Sequence, residues 1–195
     1  CFSFFADKTI TTGEGGLVVT DDEKVYDELL YLRNQGRKNR GSFYHEKVGY
    51  NFRMTDIQAA IGLVQLKKLP DIIKKKQQIY EWYQEGLSQI NQVSVYSPDK
   101  ATDPFIPFRV VISVEGPAED IMNHLKLNDI EPRGFFYPLH KQPCYKNNNY
   151  LTIDSNVSIS IDAYEHGVCL PSFVSITKDQ VGYVCRKIRE FFDHE

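Results

Sequence analysis

The 195 residues are 42% hydrophobic and 25% charged, with a formal net charge of −3, values typical of a globular chain of one to one and a half domains. So mild an acidity offers no electrostatic hold on nucleic acid or an anionic membrane, and no apolar run approaches the roughly 20 residues that span a bilayer. The four cysteines, Cys1, Cys144, Cys169 and Cys185, stand far apart with no CxxC or Cys/His cluster, which argues against a metal site and for free thiols in a reducing cytoplasm, with Cys185 in the core.

Cys1–Phe5 is short, apolar and aromatic and reads as a buried strand, followed by a glycine-rich loop at Thr11–Gly16 and a second short strand at Leu17–Thr20. Asp21 and Asp22 offer an N-cap for a helix over Glu23–Leu32 that Gly36 would stop. Residues 36–54 are polar and aromatic without periodicity, a length of loop that is uncommon unless it works. Thr55-Asp56-Ile57-Gln58 is a capping box opening a helix whose inward face would be Ile57, Ala60, Ile61 and Val64. Pro70 is expected to end that helix and begin the next, Asp71–Ser88, with Ile72, Ile79, Tyr83 and Leu87 on a stripe.

Beyond residue 88 strands and helices alternate. Phe105–Val114 is rich in β formers, Ala118–Leu127 is helical, and Ile130–Tyr137 is extended and broken by Pro132 and Gly134. Gln142–Ser155 is an Asn-rich loop, Ser158–Gly167 a helix and Val168–Pro171 a short strand. Thr177–Asp193 is an amphipathic helix with its own capping box at Thr177 and Gln180. The expected class is α/β, with a boundary in 88–104 dividing 1–90 from 91–195.

The chemistry-bearing stretch is Ser3 to Lys8 followed by Thr11-Thr12-Gly13-Glu14-Gly15-Gly16. A lysine just past an apolar strand stands near walls that disfavour the ammonium, and the neutral amine attacks an aldehyde. A nearby hydroxyl and a glycine-rich turn suit a phosphate. On the residues alone, a surface lysine closing a strand is the commoner arrangement.

The motif S-F-x-x-x-K-x-x-T-T-G-E-G-G resembles the lysine segment of the DegT/DnrJ/EryC1/StrS family of sugar aminotransferases dependent on pyridoxal phosphate. The run Gly49-Tyr50-Asn51-Phe52-Arg53-Met54-Thr55-Asp56-Ile57-Gln58-Ala59-Ala60-Ile61-Gly62 resembles a second block of that family. Arg133-Gly134-Phe135-Phe136-Tyr137-Pro138-Leu139-His140 resembles a third, and Cys169-Leu170-Pro171-Ser172 a fourth. The likeness covers essentially the whole chain, in order.

The resemblance implies a fold type I aminotransferase: part of the large domain in 1–90, the small C-terminal α/β domain in 91–195, and a cytoplasmic homodimer with shared sites. Lys8 would be the Schiff-base lysine, Ser3 a phosphate ligand, and Asn51 a ligand to the partner's coenzyme phosphate. Tyr44, His45, Arg53, Arg133, Tyr137 and His140 are candidates for the sugar or its nucleotide. The bland alternatives are solvated loop for Tyr44 and His45, an ion pair for Arg53 and a capped turn for His140. The implied reaction moves an amino group, with glutamate as donor, to a nucleotide-linked keto-deoxysugar such as GDP-4-keto-6-deoxymannose. A dehydratase of the same family and a non-catalytic sensor or dimerisation module are the alternatives. The groups that stack on the coenzyme ring and pair with its nitrogen lie upstream of the lysine in this family. The chain is accordingly expected to be a piece of a longer protein.

Overall fold

The computed structural model describes residues 1–39, 41, 43–98, 104–145 and 157–193. Most of the segment expected as an Asn-rich loop, 146–156, lies outside them. Two compact units follow one another, Cys1–Asp71 and Ile72–Glu195. No helix among the described residues is long and apolar enough to cross a membrane.

The first unit opens with a two-residue ribbon, β1 (Phe2–Ser3) antiparallel to β2 (Gly16–Leu17). The ribbon is shorter than its apolar sequence suggested and is exposed, with Phe2 at 57% and Leu17 at 50%. Helix α1 (Glu23–Arg33) is capped by Asp22, whose carboxylate accepts from the amides of Lys24 (2.8 Å) and Val25 (3.3 Å). It ends where Gln35 and Gly36 take left-handed φ of 62° and 72°.

Helix α2 (Asp56–Leu87) runs 32 residues through Pro70, where the sequence predicted two helices. Proline removes one N–H donor, the one that would reach the Leu66 carbonyl. Leu66 and Pro70 both face solvent, so water can satisfy that group while the bonds on either side carry the helix on. The capping box forms as expected: Gln58 N donates to Thr55 Oγ1 (3.3 Å) and Thr55 N to Gln58 Oε1 (2.9 Å). The expected inward face does not. Ile57 (76%), Ile61 and Val64 are exposed, and before Pro70 the half-buried positions are Gln58, Ala59, Gly62, Gln65 and Leu69.

The second unit holds the hydrophobic core. Strands β3 (Val93–Val95), β4 (Val110–Val114), β5 (Arg133–Gly134) and β6 (Gly167–Leu170) form one antiparallel sheet in the order β3-β4-β6-β5. Val110, Ile112 and Val114 alternate onto the core face and meet Ile79, Tyr83 and Leu87 of α2 in one cluster. Helix α3 (Ala118–Leu127) adds Ile121 and Leu125, and α5 (Lys178–Asp193) adds Val181, Val184, Cys185 and Ile188. Helix α4 (Ser158–His166) leads directly into β6. The second capping box also forms, with Thr177 N donating to Gln180 Oε1 at 2.9 Å.

Two buried polar groups of α2 hold the turn that leaves β6. Tyr83 Oη donates to Pro171 O (2.8 Å), and Lys76 Nζ donates to Ser172 O (2.8 Å) and Phe108 O (3.0 Å). Burial, reinforced by Arg109, depresses the Lys76 ammonium. The Cys169-Leu170-Pro171-Ser172 block is thereby tied by its carbonyls, so its visible role is architectural.

Burial pushes the Cys185 thiol from 9.0 up to about 11. Below pH 9 the thiol is protonated folded and unfolded, and its contribution is complete. Between pH 9 and about 11 the unfolded chain alone releases the proton, so stability is lost, by roughly 2 kcal/mol for this group. Cys169 and Tyr83, also raised by burial, act in the same direction, and Lys76 acts in the opposite one. Denaturant titrations at pH 8.5 and 10.5 should show a smaller alkaline loss in Cys185→Ala than in the unaltered chain. An equal loss in both would refute the assignment to this thiol.

Candidate coenzyme and sugar site

Lys8 sits on a loop whose neck is closed by short-range bonds. Phe4 N donates to Gly15 O (2.9 Å), Thr12 N to Phe4 O (3.0 Å) and Thr11 Oγ1 to Phe4 O (3.0 Å). Residues 5–11 form the loop above that neck, and Lys8 N donates to Phe5 O (3.0 Å) within it. Lys8 and Phe5 are exposed, which corrects the expectation of apolar walls around the amine in this chain. Ser3 lies at the base of the same loop, its Oγ accepting from Phe5 N at 3.4 Å.

The neck rests on α2. Thr12, the one buried side chain of the first unit among the described residues, donates through Oγ1 to Glu14 O (2.8 Å), and Gln58 Nε2 donates to the same carbonyl (2.8 Å). Thr11 N reaches Gln65 Oε1 at 3.4 Å. The sequence marked Gln58 only as a cap, through its oxygen. Its nitrogen joins the first two motif blocks into a single piece, and nothing local in the sequence announces that bond.

The long loop 36–54 is pinned to α1. Tyr50 N donates to Leu32 O (2.6 Å), Gln35 N to Tyr50 O (3.0 Å) and Phe52 N to Arg33 O (3.2 Å), so Asn51 lies opposite Asn34 in an antiparallel bridge. The Tyr50 and Phe52 rings stack 4.9 Å apart. His45 Nδ1 donates to Gln35 O (2.7 Å), Tyr31 Oη donates to Glu46 Oε2 (3.1 Å), and Lys47 pairs with Glu28. Tyr44, His45, Asn51 and Arg53 are all exposed.

Six of the nine sequence-predicted residues (Ser3, Lys8, Tyr44, His45, Asn51 and Arg53) therefore belong to the first unit, and Arg133, Tyr137 and His140 to the second. Arg133 lies in β5 opposite Cys169. The Tyr137 ring meets Tyr164 edge-on at 5.1 Å. His140 lies in a 3-10 turn, Leu139–Lys141, with Nε2 shut from solvent and without a hydrogen-bond partner among the described residues.

The groups this chain contributes fit an aldehyde-bearing phosphate coenzyme. The primary amine of Lys8 is reachable, the Ser3 hydroxyl stands at the base of its loop, and nothing lies within 4 Å of where a Cβ on Gly13 would point.

The sequence profile of the DegT/DnrJ/EryC1/StrS aminotransferase family matches residues 1–189. The chain is 39% identical to the GDP-perosamine synthase of Escherichia coli O157:H7, over 98% of this chain and 51% of that protein. It is 37% identical to the GDP-perosamine synthase of Vibrio cholerae, over 98% and 52%. Its fold superposes with a TM-score of 0.88 on an aminotransferase, TlmJ, from Streptoalloteichus hindustanus, at 22% identity over 98% of this chain and 51% of that one. The chain spans about half the length of the curated relatives it matches.

Gly49 sits where a side chain has no room: a Cβ there would come within 2.7 Å of Gln35 C and 2.8 Å of Tyr31 O. Gly49→Ala should lift the 50–52 segment from α1 and raise amide exchange at Tyr50 and Phe52 by about tenfold or more, a loss of roughly 1.4 kcal/mol or more. Exchange at the unaltered rate would show that the close approach is not enforced.

Proposed function

We propose, from the premise that this chain belongs to the DegT/DnrJ/EryC1/StrS aminotransferase family, that the full-length protein transfers an amino group to a nucleotide-linked keto-deoxysugar with pyridoxal phosphate as coenzyme. The specific reading is glutamate as donor and GDP-4-keto-6-deoxymannose as acceptor. The observation that carries it is the identity of 39% and 37% to two proteins named GDP-perosamine synthase, sustained over 98% of this chain in each case.

Pyridoxal phosphate, when bound, supplies the electron withdrawal that makes the donor's Cα proton acidic. Lys8 Nζ would hold the coenzyme, and the same nitrogen, when free, would take up and return the proton at the donor's Cα. The Ser3 hydroxyl donates to the coenzyme phosphate. The Asn51 carboxamide donates to the phosphate in the partner subunit of a cytoplasmic homodimer, which makes each site composite. Tyr44, His45 and Arg53 from the first unit and Arg133, Tyr137 and His140 from the second serve the sugar and its nucleotide. In the whole protein, residues 1–90 complete the large domain and its connecting helices, and 91–195 form the small one.

The test uses the full-length protein. Borohydride reduction followed by peptide mapping should place a pyridoxyl label on Lys8. The holoenzyme should form a 4-amino sugar nucleotide from GDP-4-keto-6-deoxymannose only when glutamate is present. Lys8→Ala should lose the label and at least 1,000-fold in turnover, on the order of 4 kcal/mol of barrier. A label on another lysine would overturn the assignment of Lys8, and loss of the sugar's 3-hydroxyl without amination would overturn the transfer reading.

A further inference from the structure

We propose that Gln58, Gly62 and Gln65 form a seat on α2 that positions Lys8 by holding the neck of its loop. The inference rests on the assignment of Lys8 as the coenzyme-bearing amine and adds to it the residues that place that amine.

The spacing is that of one helix face. Positions i, i+4 and i+7 line up on a turn-and-turn stripe, and these three are half-buried while their apolar neighbours Ile57, Ile61 and Val64 are exposed. At one end Gln58 Nε2 donates to Glu14 O (2.8 Å), and at the other Gln65 Oε1 accepts from Thr11 N (3.4 Å). Between them, Gly62 leaves room for Thr12, because a Cβ there would stand 3.0 Å from Thr12 Cγ2.

Thr12 has little freedom to give way. Its Oγ1 is committed to Glu14 O and its N to Phe4 O, so turning the methyl aside breaks a bond of the neck. The orientation of the Gln58 carboxamide is fixed by its partners. Its oxygen faces the Thr55 amide at 2.9 Å and its nitrogen faces a carbonyl, and the flipped amide would oppose like groups at both ends. Both sides of the neck from which loop 5–11 rises are therefore held by the stripe, at Thr11 on one side and Glu14 on the other. A misplacement of about 1 Å in a reacting group costs on the order of 100-fold in rate, so a seat of this kind reads out in turnover before it reads out in affinity.

Two variants of the full-length protein separate positioning from folding. Gln58→Glu keeps an acceptor for the Thr55 amide at a helix N-terminus, where negative charge is welcome, and loses the donor to Glu14 O. The expected result is about tenfold faster amide exchange at Thr12, about a tenfold lower kcat, and a KM for the nucleotide sugar within about twofold. Measured as a ratio to the unaltered protein at each pH, both losses should shrink as pH falls, because a protonated carboxyl at this position donates again. Gly62→Ala should raise Thr12 exchange and lower kcat while leaving the melting temperature equal or higher, since alanine favours the helix.

Thr12 exchange unchanged in both variants overturns the seat. Faster exchange with unchanged kcat overturns its role in placing Lys8, as does a Gln58→Glu loss that ignores pH. If the unaltered protein carries no coenzyme on Lys8, that assignment fails on its own, and the exchange measurements alone decide whether the stripe holds the loop.

Discussion

One backbone carbonyl, that of Glu14, organises the first unit. It accepts from the Thr12 hydroxyl and the Gln58 carboxamide, each at 2.8 Å, and so uses both of its lone pairs. The ribbon of β1 and β2 is two residues long on each side and has no buried face to stabilise it. What fixes the loop is polar: a few hydrogen bonds at the neck and a helix whose cap uses the other end of the same glutamine. Each such bond contributes about 1 kcal/mol net, so the arrangement is one of geometry more than of mass. Lys8 inherits its position from it.

The second unit is held by the opposite means. Its sheet and three helices bury a continuous aliphatic cluster, and the polar groups inside it, Tyr83 and Lys76, spend their donors on the carbonyls of the turn after β6. Phe2, Leu17, Val18 and Val19 of the first unit are exposed.

Legibility in the sequence followed the range of each interaction. Asp22, Thr55 with Gln58, and Thr177 with Gln180 act within three residues, and all three caps stand as read. Helix α3 spans the expected Ala118–Leu127. Pro70 misled because a proline costs a helix one bond, and an exposed site repays it with water. The apolar face of α2 was real as a pattern, but periodicity names a face and not what it meets. In this chain the loop neck selects the Gln58–Gln65 stripe instead. Lys76 was unreadable as a buried donor because its partners lie 32 and 96 residues away in sequence. The four blocks gave the family and the candidate residues, while the bonds joining the first block to the second became visible only in three dimensions.

The account turns on Thr12 and Gln58 acting through one shared carbonyl. A double-mutant cycle with Thr12→Val and Gln58→Glu, read as the opening free energy of the Phe4 and Thr12 amides by hydrogen exchange in the full-length protein, measures that directly. Donors that hold the same carbonyl should be coupled, and the double variant should differ from the sum of the singles by about 0.5–1 kcal/mol. Effects that add within about 0.3 kcal/mol would show that the two donors act independently, and the neck would then owe its position to something other than this carbonyl.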